Sequence, residues 1–334
     1  MAYPLIILGA GASYDYIKLS QRTEPIALKN KFRPPVTKNL FHPRFDRIIK
    51  GWSNISDLAA SMNADLQNQK KDFESILLNY QVKSVKNGDR KKQLIDLLFY
   101  LQNLFKNISH EYGGQPANNY RALIQEVKDG FGKACIVTFN YDLLLEEALS
   151  KPLDMDKYNS GDIKYIKAHG SCNWVYPFDD ITQRSSRIGK SRDFLIAHPE
   201  YPEKNQQNFK PEIYIGKDYE EGDNFYYPAI AIPLPGKTGF ICPKTHLSAL
   251  EECLPEVDRI LCIGWRANDS HLINLLEKYL KNNVALMVVN HSHDGAKYVF
   301  EKFANIKNVV SKSSYEGFSN FMGSDECKTF FETN

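Results

Sequence analysis

An alternation of short apolar runs with helical patterns constrains this chain more than any other feature. The runs are rich in β-branched residues and short enough for strands that are buried on both faces. Most are followed by a helical pattern, which is the order that joins parallel strands. The sequence therefore predicts an α/β fold, a parallel sheet of about six strands with helices on both faces. The predicted strands are Tyr3–Leu8, Ala134–Thr138, Lys164–Ala168, Arg259–Ile263, Ala285–Asn290 and Asn308–Val310.

Two long segments interrupt this alternation within what we interpret as one domain, residues 1–334. Residues 38–131 predict a helical insert, in which an apolar stripe runs from Leu94 to Phe105. Core packing is our interpretation of the stripe, and a partner-binding groove is the alternative. Residues 176–243 predict a loop-rich insert, which at this length is typical of a functional segment such as a lid. The helices predicted to follow the strands are Asp142–Ser150, Asp269–Lys281, Asp294–Phe303 and Tyr315–Met322.

A glycine turn follows the first predicted strand. Gly9, Ala10, Gly11 and Ser13 lie in this turn, where glycines let backbone amides come close to a phosphate. The turn is not the complete dehydrogenase fingerprint. Tyr14 stands where the third glycine would be, and no clear acidic ribose ligand follows about 20 residues later. A glycine turn after a buried strand, without any ligand, is the alternative interpretation.

Polar residues lie at the ends of further strands. Asn140 follows the second predicted strand, and His169 follows the third. Ligands of open parallel sheets bind outside the carboxyl ends of the strands, so both residues are candidates for chemistry. Asn140 could instead cap a helix, with Asp142 in its first turn, and His169 could be structural. Gly264 and Asn290 hold similar positions, where turn formation is again the alternative.

Composition excludes several classes of site. The formal net charge of +2 gives no reason to expect direct nucleic-acid binding, and no apolar stretch approaches a membrane span. The N-terminal apolar run has no basic segment before it, so it does not predict a signal peptide. None of the six cysteines forms a Cys-x-x-Cys pair. We therefore expect no structural zinc, no other bound metal, and reduced thiols in a cytoplasmic protein.

Taken together, these motifs resemble the sirtuin-like family, in its bacterial branch linked to phage defence. The resemblance lies in Gly-Ala-Gly-Ala-Ser at 9–13, Thr-Phe-Asn-Tyr-Asp at 138–142 and His-Gly-Ser-x-Asn-Trp at 169–174. It implies a Rossmann-like fold that uses NAD+, with Asn140 and His169 in the two catalytic positions. It also implies that the nucleotide contacts are made by Ala10, Gly11, Ser13, Asp142, Gly264 and Asn290, beside Gly9 of the glycine turn.

One departure from the family pattern bears on the reaction. Protein-deacylating sirtuins carry four zinc-binding cysteines in paired spacing, and this chain has no such pairs. The resemblance then favours hydrolysis of NAD+ to nicotinamide and ADP-ribose, as an effector that depletes NAD+ during phage infection. A metal-free protein deacylase and a non-catalytic sensor of NAD or ADP-ribose are the alternatives. An ordinary dehydrogenase is disfavoured by the missing third glycine.

The resemblance also implies an assembly. It favours a homo-oligomer, regulated by an ATPase of the HerA type or by another component of a defence system. For self-association we expect the helical insert to supply the surface. The loop-rich insert is the segment that we expect to close over NAD+.

Overall fold

The computed structural model describes residues 3–17, 33–68, 75–79, 88–150, 158–178, 191–201, 211–213, 225–232 and 239–332. Its largest sheet has six strands in the order β3-β2-β1-β7-β8-β9, all parallel. This is the strand order of doubly wound nucleotide-binding folds, and it confirms the predicted Rossmann-like α/β class. The strands are β1 Pro4–Leu8, β2 Ala134–Thr138, β3 Ile163–Lys167, β4 Gly170–Phe178, β5 Glu212–Ile213, β6 Phe225–Ile230, β7 Arg259–Ile263, β8 Val284–Asn290 and β9 Val309–Glu316.

The helices agree with most of the predicted pattern. They are α1 Ala10–Tyr14, α2 Asp46–Ile49, α3 Ser53–Asn68, α4 Gly88–Tyr112, α5 Asn119–Gly130, α6 Leu144–Leu149, α7 Ser191–Ala197, α8 Lys244–Cys253, α9 Ser270–Tyr279, α10 His293–Lys302, α11 Phe318–Phe321 and α12 Asp325–Phe331. Among the described residues, no helix is both long and apolar enough to span a membrane.

The last strand and the helix after it differ from the prediction. The strand predicted at Asn308–Val310 continues as β9 to Glu316, where Tyr315 and Glu316 pair with the end of β8. The helix predicted at Tyr315–Met322 is therefore only Phe318–Phe321. Gly317, at a positive φ of 81°, separates strand from helix. The error arose because β9 is an exposed edge strand of mostly polar residues, which lacks the apolar run that marks the central strands.

The sheet is covered on both faces by apolar side chains. Leu5 and Ile7 of β1 point to one face, where they belong to a core cluster with α8, α9 and α10. Ile6 points to the opposite face and is also fully buried. Burial of each such side chain contributes about 1.5–3 kcal/mol relative to exposure. Because successive side chains of β1 point to opposite faces and both faces are buried, the sequence of β1 is continuously apolar.

The chain divides into two compact units. The first comprises residues 1–36, 108–169 and 236–334 and contains the six-stranded sheet. The second comprises residues 37–107 and 170–235 and contains a three-stranded antiparallel sheet of β5, β4 and β6. The segment at 176–243 thus includes strands and a helix as well as loops. Most of the residues predicted to form a lid lie outside the described residues, at 179–190, 202–210, 214–224 and 233–238. The boundaries of the two inserts stay predictions.

The apolar stripe of α4 is core and not a surface. Leu97, Leu101 and Leu104 are fully or almost fully buried within the chain, and Phe105 is buried as well. The core interpretation is therefore confirmed. The alternative, that the stripe forms a partner-binding groove, is wrong for these four residues, because their side chains are buried against the rest of the chain.

Candidate functional site

Residues that follow the strands meet at one edge of the six-stranded sheet. The ladder continues one residue past each strand: the Ala168 amide donates to Thr138 O, and the Phe139 amide donates to Leu8 O (both 2.9 Å). On the other side of β1, the Gly9 amide donates to Ile263 O (3.0 Å). The chain order reverses at β1, which lies between β2 and β7. Ligands of such sheets bind at this switch point. Gly9, Asn140, His169 and Gly264 each follow a strand that ends at this edge of the sheet.

The glycines of the first turn pack against the loop that follows β7. A Cβ added to Gly9 would lie 2.5 Å from Gly264 O, and one added to Gly11 would lie 2.7 Å from Gly264 Cα. Gly264 itself has a positive φ of 60°. The backbone of one turn therefore fits against the other only where side chains are absent. This packing is a second reason for the glycines, besides the predicted approach to a phosphate.

Other residues of the turn differ in exposure. Ala10 and Gly11 are half-buried, whereas Ser13 is buried. The helix that they begin, α1, has only five residues. Any contact of Ala10 or Gly11 with a nucleotide would therefore be made by the turn itself and not by a long helix dipole.

Asn140 is held by its amide nitrogen. Its Nδ2 lies within hydrogen-bond distance of three acceptors, Gly9 O (3.0 Å), Ser13 Oγ (3.0 Å) and Tyr120 Oη (3.2 Å). The residue is 7% exposed. The capping alternative is wrong, because α6 begins at Leu144, with Leu143 at its N-cap. An amide held in this way presents Oδ1 as its acceptor for a hydroxyl or a water molecule.

Tyr120 completes this network and was missed by sequence reasoning. It lies on α5, is fully buried, and its hydroxyl is 2.8 Å from Ser13 Oγ. Burial raises the pKa of the Tyr120 phenol well above its ordinary value of 10.0, so the hydroxyl stays protonated near neutral pH. No local pattern marks this tyrosine, since it stands in a helix far from any strand end. Its hydroxyl contributes to fixing the orientation of the Asn140 amide.

Asp142 belongs to a buried charged cluster beneath the site. Its carboxylate accepts a hydrogen bond from the Leu144 amide (3.2 Å). Lys167, which is fully buried, donates to Asp142 O and to Glu146 Oε1, both at 2.5 Å. Burial raises the pKa of the Asp142 carboxyl above its ordinary value of 3.8, and the positive charge of Lys167 opposes this rise. The strand end thus carries a structural charge cluster that sequence reasoning did not identify.

His169 is paired with a carboxylate. Its Nε2 lies 2.8 Å from Asp269 Oδ2, and both side chains are largely buried. The Phe139 ring packs edge-on against the imidazole with a centroid distance of 4.7 Å, and Trp265 stacks on Phe139 at 5.3 Å. The sequence marks Asp269 as the first residue of the helix predicted at Asp269–Lys281. Its pairing with His169 spans 100 residues and leaves no local signal.

Asn290 lies at the end of β8, apart from the Asn140 network. Its Oδ1 accepts a hydrogen bond from the His291 amide (2.7 Å) and lies against Gly295 of α10. The residue is half-buried. Its backbone oxygen accepts from the Gly317 amide (2.7 Å), which joins β8 to the turn after β9. Turn formation therefore accounts for the contacts of Asn290, and its contact with a nucleotide stays a prediction.

No group of three or more His, Cys, Asp or Glu side chains that could hold a metal ion occurs in the part of the chain that the structure describes. The predicted absence of metal stays a prediction.

Comparison with protein-family models gives no match, and no curated protein matches the sequence. Solved structures similar to this chain include a Sir2 homologue in complex with NAD, at 12% identity and a TM-score of 0.42. That alignment covers 98% of this chain and 89% of the other. Another is Sir2Tm bound to a propionylated peptide, at 13% identity and a TM-score of 0.41, with 99% and 94% covered. Similarity of this degree does not indicate an activity.

Proposed function

We propose that this chain hydrolyses NAD+ to nicotinamide and ADP-ribose. The observation that carries the proposal is the pair of polar side chains at the carboxyl ends of the adjacent strands β2 and β3. One is an amide oriented through Nδ2, and the other is a histidine paired with a carboxylate. Both lie beside the switch point of a sheet with the strand order of dinucleotide-binding folds.

The reaction needs few groups. The bond between the ribose carbon and the pyridinium nitrogen breaks, and its electron pair neutralises the nicotinamide. A water oxygen bonds to the ribose carbon, and His169 takes the proton that this water loses. Asn140 Oδ1 accepts a hydrogen bond from the water or a ribose hydroxyl and so fixes its position. One water is consumed and one proton is released, without an oxidant or a metal.

The glycine turn supplies the binding surface in this proposal. Gly9 and Ser13 of this turn, which also contains Ala10 and Gly11, contact Asn140, and Gly264 packs against Gly9 and Gly11. Backbone amides in such a turn suit a pyrophosphate. Asp142, which is 3% exposed, would contribute by holding the end of β2 more than by direct contact. Asn290 would approach the nucleotide from β8.

Incubation of the purified chain with NAD+, followed by chromatography for nicotinamide and ADP-ribose, tests the activity. We expect Asn140→Ala to lower turnover by a factor of roughly 100 or more, the size typical of a positioned catalytic group. Asn282→Ala is the matched control, since its side chain donates to two backbone oxygens of the segment before β7, Pro255 O and Val257 O. Near-normal turnover in a folded Asn140→Ala variant would contradict the assignment.

His169→Ala separates chemistry from binding. We expect it to abolish NAD+ cleavage while ADP-ribose still binds, because a base acts on the reaction more than on affinity. His293→Ala, an exposed histidine of the same unit, is the control. Loss of binding together with early melting would mean that His169 is structural.

The same assay separates the alternatives. A metal-free deacylase would consume NAD+ only when an acyl-lysine peptide is added, and a sensor would bind NAD or ADP-ribose without turnover. Turnover with NAD+ alone supports the hydrolase.

The biological setting is a further part of the proposal. An NAD+ hydrolase without control would kill its own cell, so we propose a cytoplasmic anti-phage effector whose activity is regulated. A homo-oligomer acting with an ATPase of the HerA type is the assembly that we expect. The test is light scattering together with turnover measured with and without the partner. A monomer at micromolar concentration with full, unregulated activity would contradict it.

A further inference from the structure

Asp269 is the charged group that contacts the proposed base. Its Oδ2 lies 2.8 Å from His169 Nε2, and the residue is 6% exposed. We propose that Asp269 is a positioning residue, which fixes His169 in the tautomer protonated at Nε2 and makes Nδ1 the nitrogen that takes the proton. This inference rests on the proposed function for its catalytic consequence, whereas the tautomer itself can be measured without any turnover.

The carboxylate is held rigidly by its second oxygen. Asp269 is the N-cap of α9, where Oδ1 accepts a hydrogen bond from the Leu272 amide (2.9 Å). The loop before it contains Gly264 and the buried Ala267 at positive φ values of 60° and 53°. An alanine rarely adopts this conformation, so the packing around the loop must impose it. Oδ2 is thus directed at His169 by a helix end and a constrained loop.

The imidazole is restrained from a second side. The Phe139 ring meets it edge-on at 4.7 Å, with an angle of 79° between the rings. Phe139 is in turn stacked on Trp265, at an interplanar angle of 11°. The stack on Trp265 holds the Phe139 ring in place, and the edge-on contact of Phe139 restricts rotation of the histidine ring. The Asp269 contact and the Phe139 contact together define both the plane and the in-plane direction of the ring.

The protonation pattern follows from the donor inventory. An ionised carboxylate can only accept hydrogen bonds, so the nitrogen that faces it carries the hydrogen. In the neutral imidazole the other nitrogen, Nδ1, is then the proton acceptor. When Nδ1 takes a proton from water, the ring becomes a cation, and the adjacent carboxylate stabilises that charge. The division of roles is the one found for aspartate in serine-protease triads.

Asp269→Asn is the informative variant. Its Oδ1 still accepts from the Leu272 amide, and asparagine caps helices as well as aspartate does. The group that replaces Oδ2 is an NH2, which donates to Nε2 and so moves the ring proton to Nδ1. We expect ¹⁵N spectra of histidine-labelled protein to show His169 protonated at Nε2 in the wild type and at Nδ1 in the variant. The His169 signals are assigned from their absence in His169→Ala.

Turnover provides the second measurement. We expect Asp269→Asn to lower NAD+ cleavage on the order of 100-fold or more, as loss of the correct tautomer does in serine proteases. ADP-ribose binding should remain. Asp325→Asn, which changes an exposed carboxylate on α12, is the control and should alter neither measurement. If Asp269→Asn fails to fold, Asp269→Ser keeps the cap without the carboxylate and should leave His169 as a mixture of tautomers.

Each outcome decides the proposal. An unchanged tautomer in the folded variant would overturn it, and so would full turnover with the tautomer reversed. A loss of turnover without a change of tautomer would give Asp269 a purely structural role. If the wild type shows the Nε2 tautomer but never cleaves NAD+, the pairing stands and the hydrolase proposal fails.

Discussion

We predict that the buried ion pair between Lys167 and Glu146 makes a large contribution to the stability of the fold. Lys167 Nζ is fully buried and donates to Glu146 Oε1 and to Asp142 O, both at 2.5 Å. Lys167→Met keeps the apolar length of the side chain but leaves the Glu146 carboxylate buried without its cation. Breaking such a pair costs about 3–5 kcal/mol. We expect the free energy of unfolding to fall by that amount.

The matched control lies on the same strand. Lys164 is half-buried and donates to Asn159 O at 2.8 Å, a single hydrogen bond to a neutral group. Lys164→Met should cost less than Lys167→Met, about 1.5–3 kcal/mol at most, the net value of a hydrogen bond that involves a charged group. The double variant Lys167→Met with Glu146→Leu removes both charges, and should recover about 0.5–3 kcal/mol relative to the sum of the single changes.

Urea denaturation measures these values. Circular dichroism and tryptophan fluorescence should give coincident transitions, which tests whether a two-state free energy is defined. If Lys167→Met lowers the free energy of unfolding no more than Lys164→Met does, the buried ion pair does not stabilise the fold in the way that the structure indicates. Strict additivity in the double variant would refute the claim that the two charges stabilise each other.

Three further predictions follow from the site. Burial raises the pKa of Asp142. The stability that its protonated form contributes is therefore complete below its ordinary pKa of 3.8 and is lost as the pH rises through its pKa in the folded state. Asp142→Asn should therefore gain stability relative to the wild type between about pH 4 and neutrality in urea titrations, and a constant difference would contradict this. Tyr120→Phe should lower the free energy of unfolding by about 1–3 kcal/mol, and it should lower NAD+ turnover because the Asn140 amide loses one partner. Unchanged turnover would show that the Tyr120 hydroxyl does not position the Asn140 amide. Elemental analysis should find well under one zinc per chain, and chelator should leave activity intact; stoichiometric metal would revive the deacylase.

The central part of the fold could be predicted because its signals are local. The four strands β1, β2, β7 and β8 are mainly apolar runs whose residues are mostly buried, so their composition marks them. Strand β3 also contains Lys164 and Lys167, and its β-branched residues gave a weaker signal. The exposed strand β9 carries mostly polar residues, and the sequence revealed only its first part. An apolar run is selected only where a strand is buried, so an exposed strand such as β9 carries no apolar run by which it can be recognised.

The positions of Asn140 and His169 could be predicted for the same reason. Each follows a recognisable strand, and parallel strands bring their carboxyl ends to one edge. Whether Asn140 was a helix cap could not be decided from the sequence, since a cap and a strand-end ligand share residue type and place. The three-dimensional structure decided it by starting α6 at Leu144.

The sequence by itself determined the class of the sheet, the order of strand and helix, and the edge at which polar residues gather. Only the tertiary structure decided which groups those residues contact. Asn140 meets Gly9 across 131 residues, and His169 meets Asp269 across 100. Propensity and periodicity act over a few neighbouring residues, whereas such pairings depend on how distant segments pack. Only the folded structure therefore decides the orientation of the Asn140 amide, the partner of His169 and the position of the buried charges.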